Sequence, residues 1–276
     1  MRWEMIKGCV TGASHIIKQM PCQDAIKTNF FSPNSFVCAI ADGHGSSACP
    51  YSDEGAEIAV SVALAVIEIL IWQNDEASLY SLLQSIKEVQ LPRAIEKEWK
   101  EQIQYHHQQK ERGDYPKAEQ MWKLYGSTLI ILWVMPDFVF ALQIGDGDLL
   151  QVDAKGETKR LILAEQQYGT ETYSLCQKEC WRYFKHKLIP IATHQSPCLF
   201  LMSTDGYANS FTSEKDFLRI GKDYLELLKH YDSTLLEEQL PVWLNEASSK
   251  GSGDDITLAV IYQNPMRGEE HAKTNH

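Results

Sequence analysis

Hydrophobic and polar positions along the chain predict short strands that alternate with helices. Two runs rich in β-branched and aromatic residues, 24–31 and 36–41, flank Ser32-Pro33-Asn34-Ser35 and predict a β-hairpin. A second hairpin is predicted at 127–134 and 138–144, and further strands at 149–153, 198–203 and 256–262. Apolar residues three and four positions apart predict helices at 53–72, 76–107, 213–231 and 233–248, the first capped by Ser52. The mixed stretches 108–123 and 164–189 are predicted to be a loop with a helix end and an irregular surface segment, respectively.

Length and composition are typical of a globular α+β protein. The chain has 276 residues, of which 44% are apolar and 23% charged. Because no linker rich in Pro, Gly or Ser divides it, we predict one domain over residues 1–263. Residues 264–276 are polar, and we expect a disordered tail there.

Net charge and cysteine content limit the classes of binding partner and the cellular compartment that we expect for this protein. With 26 Lys and Arg against 37 Asp and Glu, the net charge of −11 argues against nucleic acid or an anionic membrane as the main partner. Seven irregularly spaced cysteines do not form a disulfide framework. The first ten residues lack the apolar core of a signal peptide, and the apolar run 56–72 is shorter than the roughly 20 residues that span a bilayer. The sequence therefore predicts a cytoplasmic protein with a buried helix at 56–72.

Aspartates stand at the ends of the predicted strands. Asp42, Asp146 and Asp205 each follow a strand, and Asp254 with its neighbour Asp255 precedes the last one. A turn centred on residues 33 and 34 sets Asp24 opposite Gly43, beside Asp42, and the second hairpin sets Asp146 opposite Ser127. If the strands at 198–203 and 256–262 are antiparallel, their acids meet at the same sheet edge.

Several carboxylates at one edge need a counter-charge. Two of them about 4 Å apart repel by roughly 1–4 kcal/mol, and no Lys or Arg adjoins these motifs. Oxygen ligands favour Mg²⁺, Mn²⁺ or Ca²⁺, and two such ions could ready a water for attack on phosphorus. Asp-Gly is also a turn signal, so each pair taken alone is more typical of a turn. An EF-hand is excluded because Gln151 stands where its loop requires Gly.

Six segments in a fixed order resemble the metal-dependent protein phosphatases of the PPM (type 2C) family, in particular the compact bacterial form. They are GASHIIKQMPCQDA (12–25), AIADGHGSSA (39–48), YGSTL (125–129), QIGDGDLL (143–150), LMSTDGYANS (201–210) and GSGDDITLAV (251–260). The resemblance covers residues 8–262 and implies a four-layer α/β/β/α sandwich with two antiparallel sheets. It also implies a binuclear Mn²⁺ or Mg²⁺ centre at one sheet edge.

The resemblance assigns roles to individual residues. Asp42 aligns with the carboxylate that bridges both metals, and the Gly43 carbonyl with a ligand of one of them. Asp205 and Asp254 align with ligands of the other metal, and Asp24 with an acid that acts directly or through water. Asp146 aligns with a ligand of a third, looser ion. His44 aligns with the general acid that protonates the leaving oxygen, work that suits a side chain titrating near neutrality; a turn histidine is the alternative.

Two departures from the family pattern concern the first motif. Gln23 replaces the first acid of a Glu-Asp pair, which removes one negative charge near the metals, and Gln19 stands roughly where the family has a phosphate-binding Arg. Lys18 or His15 could take over that contact; otherwise Lys18 is a surface charge. The segment 168–184 corresponds to the variable flap beside the family's site, although its aromatics could equally pack on the adjacent sheet.

The resemblance implies a serine/threonine protein phosphatase in which metal-activated water attacks phosphorus directly. Its partners would be phosphorylated proteins and a cognate Ser/Thr kinase. Two alternatives stay open at this point: a catalytically weak regulatory module that binds phosphoproteins, and a phosphoesterase of the same fold that acts on small molecules.

Overall fold

A computed structural model describes residues 2–110, 117–163, 172–191 and 198–264. The strands are β1 (Arg2–Val10), β2 (Asp24–Ser32), β3 (Ser35–Asp42), β4 (Leu129–Val134), β5 (Phe138–Ile144), β6 (Asp148–Val152), β7 (Thr158–Arg160), β8 (Lys185–Pro190), β9 (Leu199–Ser203) and β10 (Ile256–Asn264). The helices are α1 (Ala13–Lys18), α2 (Ser52–Gln73), α3 (Glu76–Ile86), α4 (Gln90–Gln109), α5 (Ala118–Lys123), α6 (Asp205–Ala208), α7 (Glu214–His230) and α8 (Ser233–Lys250), with a 3₁₀ turn at Cys180–Tyr183.

Two antiparallel sheets pack face to face between helices, as predicted. One sheet has the strand order β1-β10-β9-β6-β7 and the other β2-β3-β4-β5-β8. Trp3, Phe36 and Phe200 are among the buried side chains that fill the space between the sheets. Helices α2 and α4 cover the outer face of the second sheet, and α7 and α8 that of the first. The fold is therefore the four-layer sandwich.

The buried helix predicted at 56–72 lies in α2, which packs on β2 and β3 and buries Ala59, Ala63 and Ile67. Within the described ranges α2 is also the one helix long and apolar enough to cross a membrane by length and composition, a test that the core helix of a folded domain passes as well. The prediction that Ser52 caps this helix is wrong. Ser52 is its first residue, and the Ser52 hydroxyl instead contacts the Gln23 side chain at 2.6 Å.

Edge strands account for most of the differences from the predicted elements. The pattern gave no strand at β1 because Arg2, Glu4 and Lys7 interrupt its apolar positions, yet β1 pairs with β10 over its whole length. The prediction that 164–189 is irregular is wrong for β8, a half-exposed edge strand beside β5. The short strand β7 was also missed, and the helix predicted at 76–107 is in fact α3 followed by α4. Residues 265–276, most of the predicted tail, lie outside the described residues.

The first hairpin differs from its predicted register by one residue. Asp24 pairs with Asp42 rather than with Gly43, because a bulge between Phe30 and Ser32 shifts the pairing near the turn. The second hairpin has the predicted register, with Leu129 opposite Ile144. The bulge thus places Asp24 directly opposite Asp42, so the two carboxyl groups are closer neighbours than the predicted register implied.

Candidate metal centre

Four of the predicted acids converge at one end of the sandwich. Asp24 begins β2 opposite Asp42 at the end of β3. Antiparallel pairing of β9 with β10 brings Asp205 and Asp254 to the same edge of the other sheet. The carboxyl of Asp42 is in electrostatic contact with those of Asp24, Asp205 and Asp254. Side chains separated by up to 230 residues in the sequence thus form one acidic cluster.

Backbone contacts fix Asp42 in this cluster. Its amide donates to the Thr128 hydroxyl at 3.0 Å, and the Thr128 amide donates to the Asp42 carbonyl at 2.8 Å. Gly43 forms a bridge with Ser127. A Cβ at Gly43 would lie 2.4 Å from the Ser52 carbonyl oxygen, so only glycine allows α2 to start this close to the strand end. The Asp-Gly pair is therefore both a turn and a site element.

The crowding of carboxyls raises their pKa values. Burial raises the pKa of Asp42 well above its usual range, and the charges of Asp24 and Asp205 raise it further. Burial, followed by the charge of Asp146, raises the pKa of Asp205 to about 6. Asp42 and Asp205 lie within hydrogen-bonding contact of each other. Two carboxyls this close favour either a shared proton or a cation between them.

The two carboxyl oxygens of Asp24 differ in their hydrogen bonding. The residue is 7% exposed, and one carboxyl oxygen accepts a hydrogen bond of 2.7 Å from the Thr204 hydroxyl. The other oxygen, Oδ1, is buried and accepts no hydrogen bond of normal length, although the Thr257 hydroxyl lies close enough to lower the pKa of this carboxyl. Burial raises the pKa of Asp24 well above its usual value. A buried acceptor that lacks a hydrogen bond lowers the stability of the fold, and a bound cation would compensate for it.

Asp146 is more exposed than the four acids of the cluster. It is exposed, and Thr172 Oγ1 donates to its Oδ2 at 2.5 Å. The charge of Asp146 raises the pKa values of both Asp205 and His44, so Asp146 lies at the rim of the cluster. The prediction that Asp146 faces Ser127 is wrong: Gly145 has a φ of 108°, which ends the ladder of β5. This rim position suits the looser third site that the resemblance implies.

His44 borders the cluster. Its amide donates to the Gly126 carbonyl at 3.1 Å, and its ring packs against the Cα of Gly126, where a Cβ would lie 2.5 Å from the imidazole Cδ2. Burial lowers the pKa of His44, partly opposed by the charge of Asp146. Burial therefore favours the neutral imidazole, and a phosphate dianion beside it would favour the protonated form.

His15 and Lys18 differ in their surroundings. His15 is buried, with Nδ1 2.9 Å from a carboxylate oxygen of Asp255, whereas Lys18 is exposed at the end of α1. Ligand atoms of His15, Asp254 and Asp255 lie within 4.8 Å of one another, as in a metal site. Asp255, however, already accepts from the amides of Gly12 and Gln23, each at 2.6 Å. We therefore interpret Asp255 as the residue that holds the first-motif loop on β10.

Three positioning residues were missed by the sequence interpretation. Asp255 was seen only as a neighbour of Asp254, and the hydroxyls of Thr204 and Thr128 were not considered. Thr204 links Asp24 to β10 because its Oγ1 also accepts from the Thr257 amide at 2.9 Å. The only signal in the sequence was their place beside the site aspartates, which says nothing about hydrogen bonding.

Gln23, where the family has a Glu, is buried. Its side-chain oxygen accepts from the Ser52 hydroxyl and its amide nitrogen donates to the Pro21 carbonyl at 3.0 Å. The Gln23 carbonyl accepts from the Gly43 amide at 3.0 Å. A neutral side chain thus ties the loop before β2 to the start of α2.

The flap segment is described from residue 172 onwards, and 168–171 lie outside the described residues. Tyr173 stacks on Tyr183 with ring centroids 4.1 Å apart, and both pack against the hydrophobic core of the second sheet. Ser174 exchanges hydrogen bonds with the backbone of Ser127, next to Gly43. These aromatics therefore pack on the sheet, while the same segment reaches Asp146 through Thr172.

Comparison with known proteins identifies the family. A family profile described as protein phosphatase 2C matches residues 11–245. Because the match spans most of the chain, the protein belongs to the protein phosphatase 2C family. No curated protein matches this sequence.

Solved structures agree in fold. The catalytic domain of the serine threonine protein phosphatase PstP, in complex with two manganese ions, has a TM-score of 0.58 at 13% identity, covering 95% of this chain and 98% of that one. PppA of Pseudomonas aeruginosa, described as a regulatory component of T6SS, has a TM-score of 0.57 at 16% identity with the same coverage. RsbX in complex with magnesium has a TM-score of 0.54 at 13% identity, covering 95% and 96%. At these identities the likeness establishes the fold.

Proposed function

We propose that this protein is a Mn²⁺- or Mg²⁺-dependent phosphatase that removes phosphate from phosphoserine or phosphothreonine in proteins. The observation that carries the proposal is the convergence of Asp24, Asp42, Asp205 and Asp254, two from each sheet, at one end of a protein phosphatase 2C sandwich. The metal-bound relatives PstP and RsbX support the choice of ions.

The donor set fits two hard cations. Asp42 and the Gly43 carbonyl would hold one ion, and Asp42 with Asp205 and Asp254 the other, while Asp24 supplies its buried Oδ1. Asp146, at the exposed rim, would hold a looser third ion. All of these ligands are oxygens, which Mn²⁺ and Mg²⁺ accept. When bound, the ions supply a water activated for attack on phosphorus.

The protein's own side chains would handle the leaving group and the phosphate. His44 would donate its proton to the departing seryl or threonyl oxygen after the substrate dianion has raised its pKa. Lys18 is the stronger candidate for phosphate binding, because His15 is buried against Asp255. The substrates would be phosphorylated proteins of the cytoplasm, modified by a cognate Ser/Thr kinase.

The first experiment is hydrolysis of p-nitrophenyl phosphate with Mn²⁺ and then with a chelator. We expect activity that needs the metal and is lost in Asp42→Asn. Asp137→Asn is the matched control, since Asp137 is exposed in the turn between β4 and β5, away from the cluster. Activity indifferent to chelation would reject the proposal.

A second experiment separates the two alternatives. Turnover of a phosphopeptide panel is compared with turnover of nucleotides under the same Mn²⁺ concentration. A preference for nucleotides would favour a small-molecule phosphoesterase of the same fold. Tight phosphopeptide binding with negligible turnover in the presence of metal would favour a regulatory binding module.

A further inference from the structure

A pair of thiols lies at the open edge between the two sheets. Cys9 is near the end of β1 and Cys22 is two residues before β2, and their sulfur atoms are 3.6 Å apart. β1 and β2 are the edge strands of their respective sheets. Further along the same edge, the Thr28 hydroxyl contacts the Met5 sulfur at 3.6 Å. The two sulfurs therefore meet where one sheet can be linked to the other.

These two cysteines are also within reach of solvent. Cys9 is exposed and Cys22 half-buried, whereas Cys38 and Cys180 are buried. A disulfide has an S–S distance of about 2.05 Å, so the sulfurs must approach by about 1.5 Å. Because Cys22 lies in the loop between α1 and β2, small rotations of two short side chains and this loop can supply that movement.

We propose that Cys9 and Cys22 are a reversible oxidation site that hydrogen peroxide converts to a disulfide. The exposed Cys9 thiolate attacks the O–O bond, which gives a sulfenic acid at Cys9 and releases hydroxide that is protonated to water. The Cys22 sulfur then attacks the sulfenic sulfur, the S–S bond forms, the S–O bond breaks and a second water leaves. The two thiols lose two electrons and two protons, and one peroxide becomes two waters.

The bridge would constrain the loop beside the metal centre. Residues 10–21 form the enclosed segment, which includes Gly12, whose amide binds Asp255, and His15. Cys22 itself adjoins Gln23, whose amide binds the other oxygen of Asp255. Closing a loop of this length reduces the freedom of the unfolded chain, so we expect the midpoint of thermal unfolding to rise by roughly 5 °C. In a reducing compartment the pair would stay as thiols.

The test uses the full chain, reduced, freed of reductant and then exposed to graded hydrogen peroxide. Free thiols are alkylated, and intact mass and peptide mapping locate any cross-link. We expect loss of two hydrogen atoms, a Cys9–Cys22 linked peptide, the rise in unfolding midpoint, and reversal of all three by dithiothreitol. Cys22→Ser and Cys9→Ser should abolish the linked peptide, while the control Cys198→Ser should form it like the wild type.

Three outcomes would overturn the proposal. One is oxidation of Cys49 or Cys198 at peroxide concentrations that leave Cys9 and Cys22 reduced. Another is a disulfide that joins two chains and not Cys9 to Cys22. The third is equal peroxide consumption and an equal midpoint shift in Cys9→Ser. Because the readouts are mass and unfolding temperature, they do not depend on phosphatase activity.

Discussion

Neutralising one acid of the metal centre should stabilise the metal-free protein at neutral pH. The perturbation is Asp205→Asn, which removes a charge but keeps a polar side chain of the same size beside Asp42 and Asn209. Folding raises the pKa of Asp205 to about 6, through burial and the charge of Asp146. A carboxyl with a raised pKa contributes stability below its unfolded pKa, near 3.9, and that contribution is lost as the pH rises through the folded value.

The magnitude follows from these two pKa values. Their difference of about 2 units corresponds to about 3 kcal/mol over the whole titration. Between pH 5 and pH 7.5 the linkage relation gives about 1.4 kcal/mol, or about 1 kcal/mol once the partial solvent exposure of Asp205 is allowed for. For a chain of this size that is about 2 °C in the midpoint of thermal unfolding.

The assay is thermal unfolding of wild type and Asp205→Asn at pH 5 and pH 7.5, each with chelator and with excess Mn²⁺. With chelator, raising the pH from 5 to 7.5 should lower the wild-type midpoint by about 2 °C more than it lowers that of the variant. With Mn²⁺, the wild type should regain stability at pH 7.5, because a cation replaces the lost protons, and the variant should regain much less. Asp137→Asn should follow the wild type throughout.

Two results would refute this reasoning. If the metal-free variant is less stable than the wild type at pH 7.5, the carboxyls are not crowded against one another. If Mn²⁺ stabilises wild type and variant equally, Asp205 does not contribute to cation binding.

Three other substitutions test separate parts of the site. Asp255→Asn should lower the free energy of unfolding by about 2–3 kcal/mol in denaturant titrations, because an amide group replaces one of the two oxygens that accept backbone amides; unchanged stability would contradict its positioning role. Gly43→Ala should cost about 3 kcal/mol by the same measurement, since its Cβ meets the Ser52 carbonyl, and a Gly8→Ala variant, whose Cβ meets only leucine side chains, should cost less. His44→Ala should lower phosphopeptide turnover about 10²-fold or more while p-nitrophenyl phosphate, with its good leaving group, loses much less; equal losses would count against a general acid.

The central strands and the acids at their ends could be predicted because one physical pattern governs both. Buried strands such as β3, β4 and β9 appear as continuous apolar runs; Asp42 ends the first of these strands, and Asp205 comes two residues after the last. Antiparallel pairing then decides which ends meet: once β9 and β10 are taken as antiparallel neighbours, as the structure has them, Asp205 and Asp254 reach the same edge. That reasoning needs only strand ends and direction.

Edge strands and the exact register of the first hairpin could not be predicted in this way. β1 and β8 each have one unpaired side, so their charged residues reach solvent and break the apolar pattern. The shift of the first hairpin depends on a bulge near Ser32, a local choice of backbone that many sequences with this turn would not make. Register errors of one residue move every later pairing, which is why the predicted partner of Asp24 was Gly43.

Asp254 and Asp255 show most directly what pattern alone cannot supply. The two residues are chemically identical and adjacent, just before β10, yet their carboxyl groups have different partners. The Asp254 carboxyl acts on Asp42 and Asp205, while Asp255 accepts the amides of Gly12 and Gln23. One dipeptide thus joins the acidic cluster to a loop more than 200 residues away in sequence. The cluster keeps its shape because the neighbouring acid, already satisfied by backbone donors, anchors β10 to the loop that delivers Asp24.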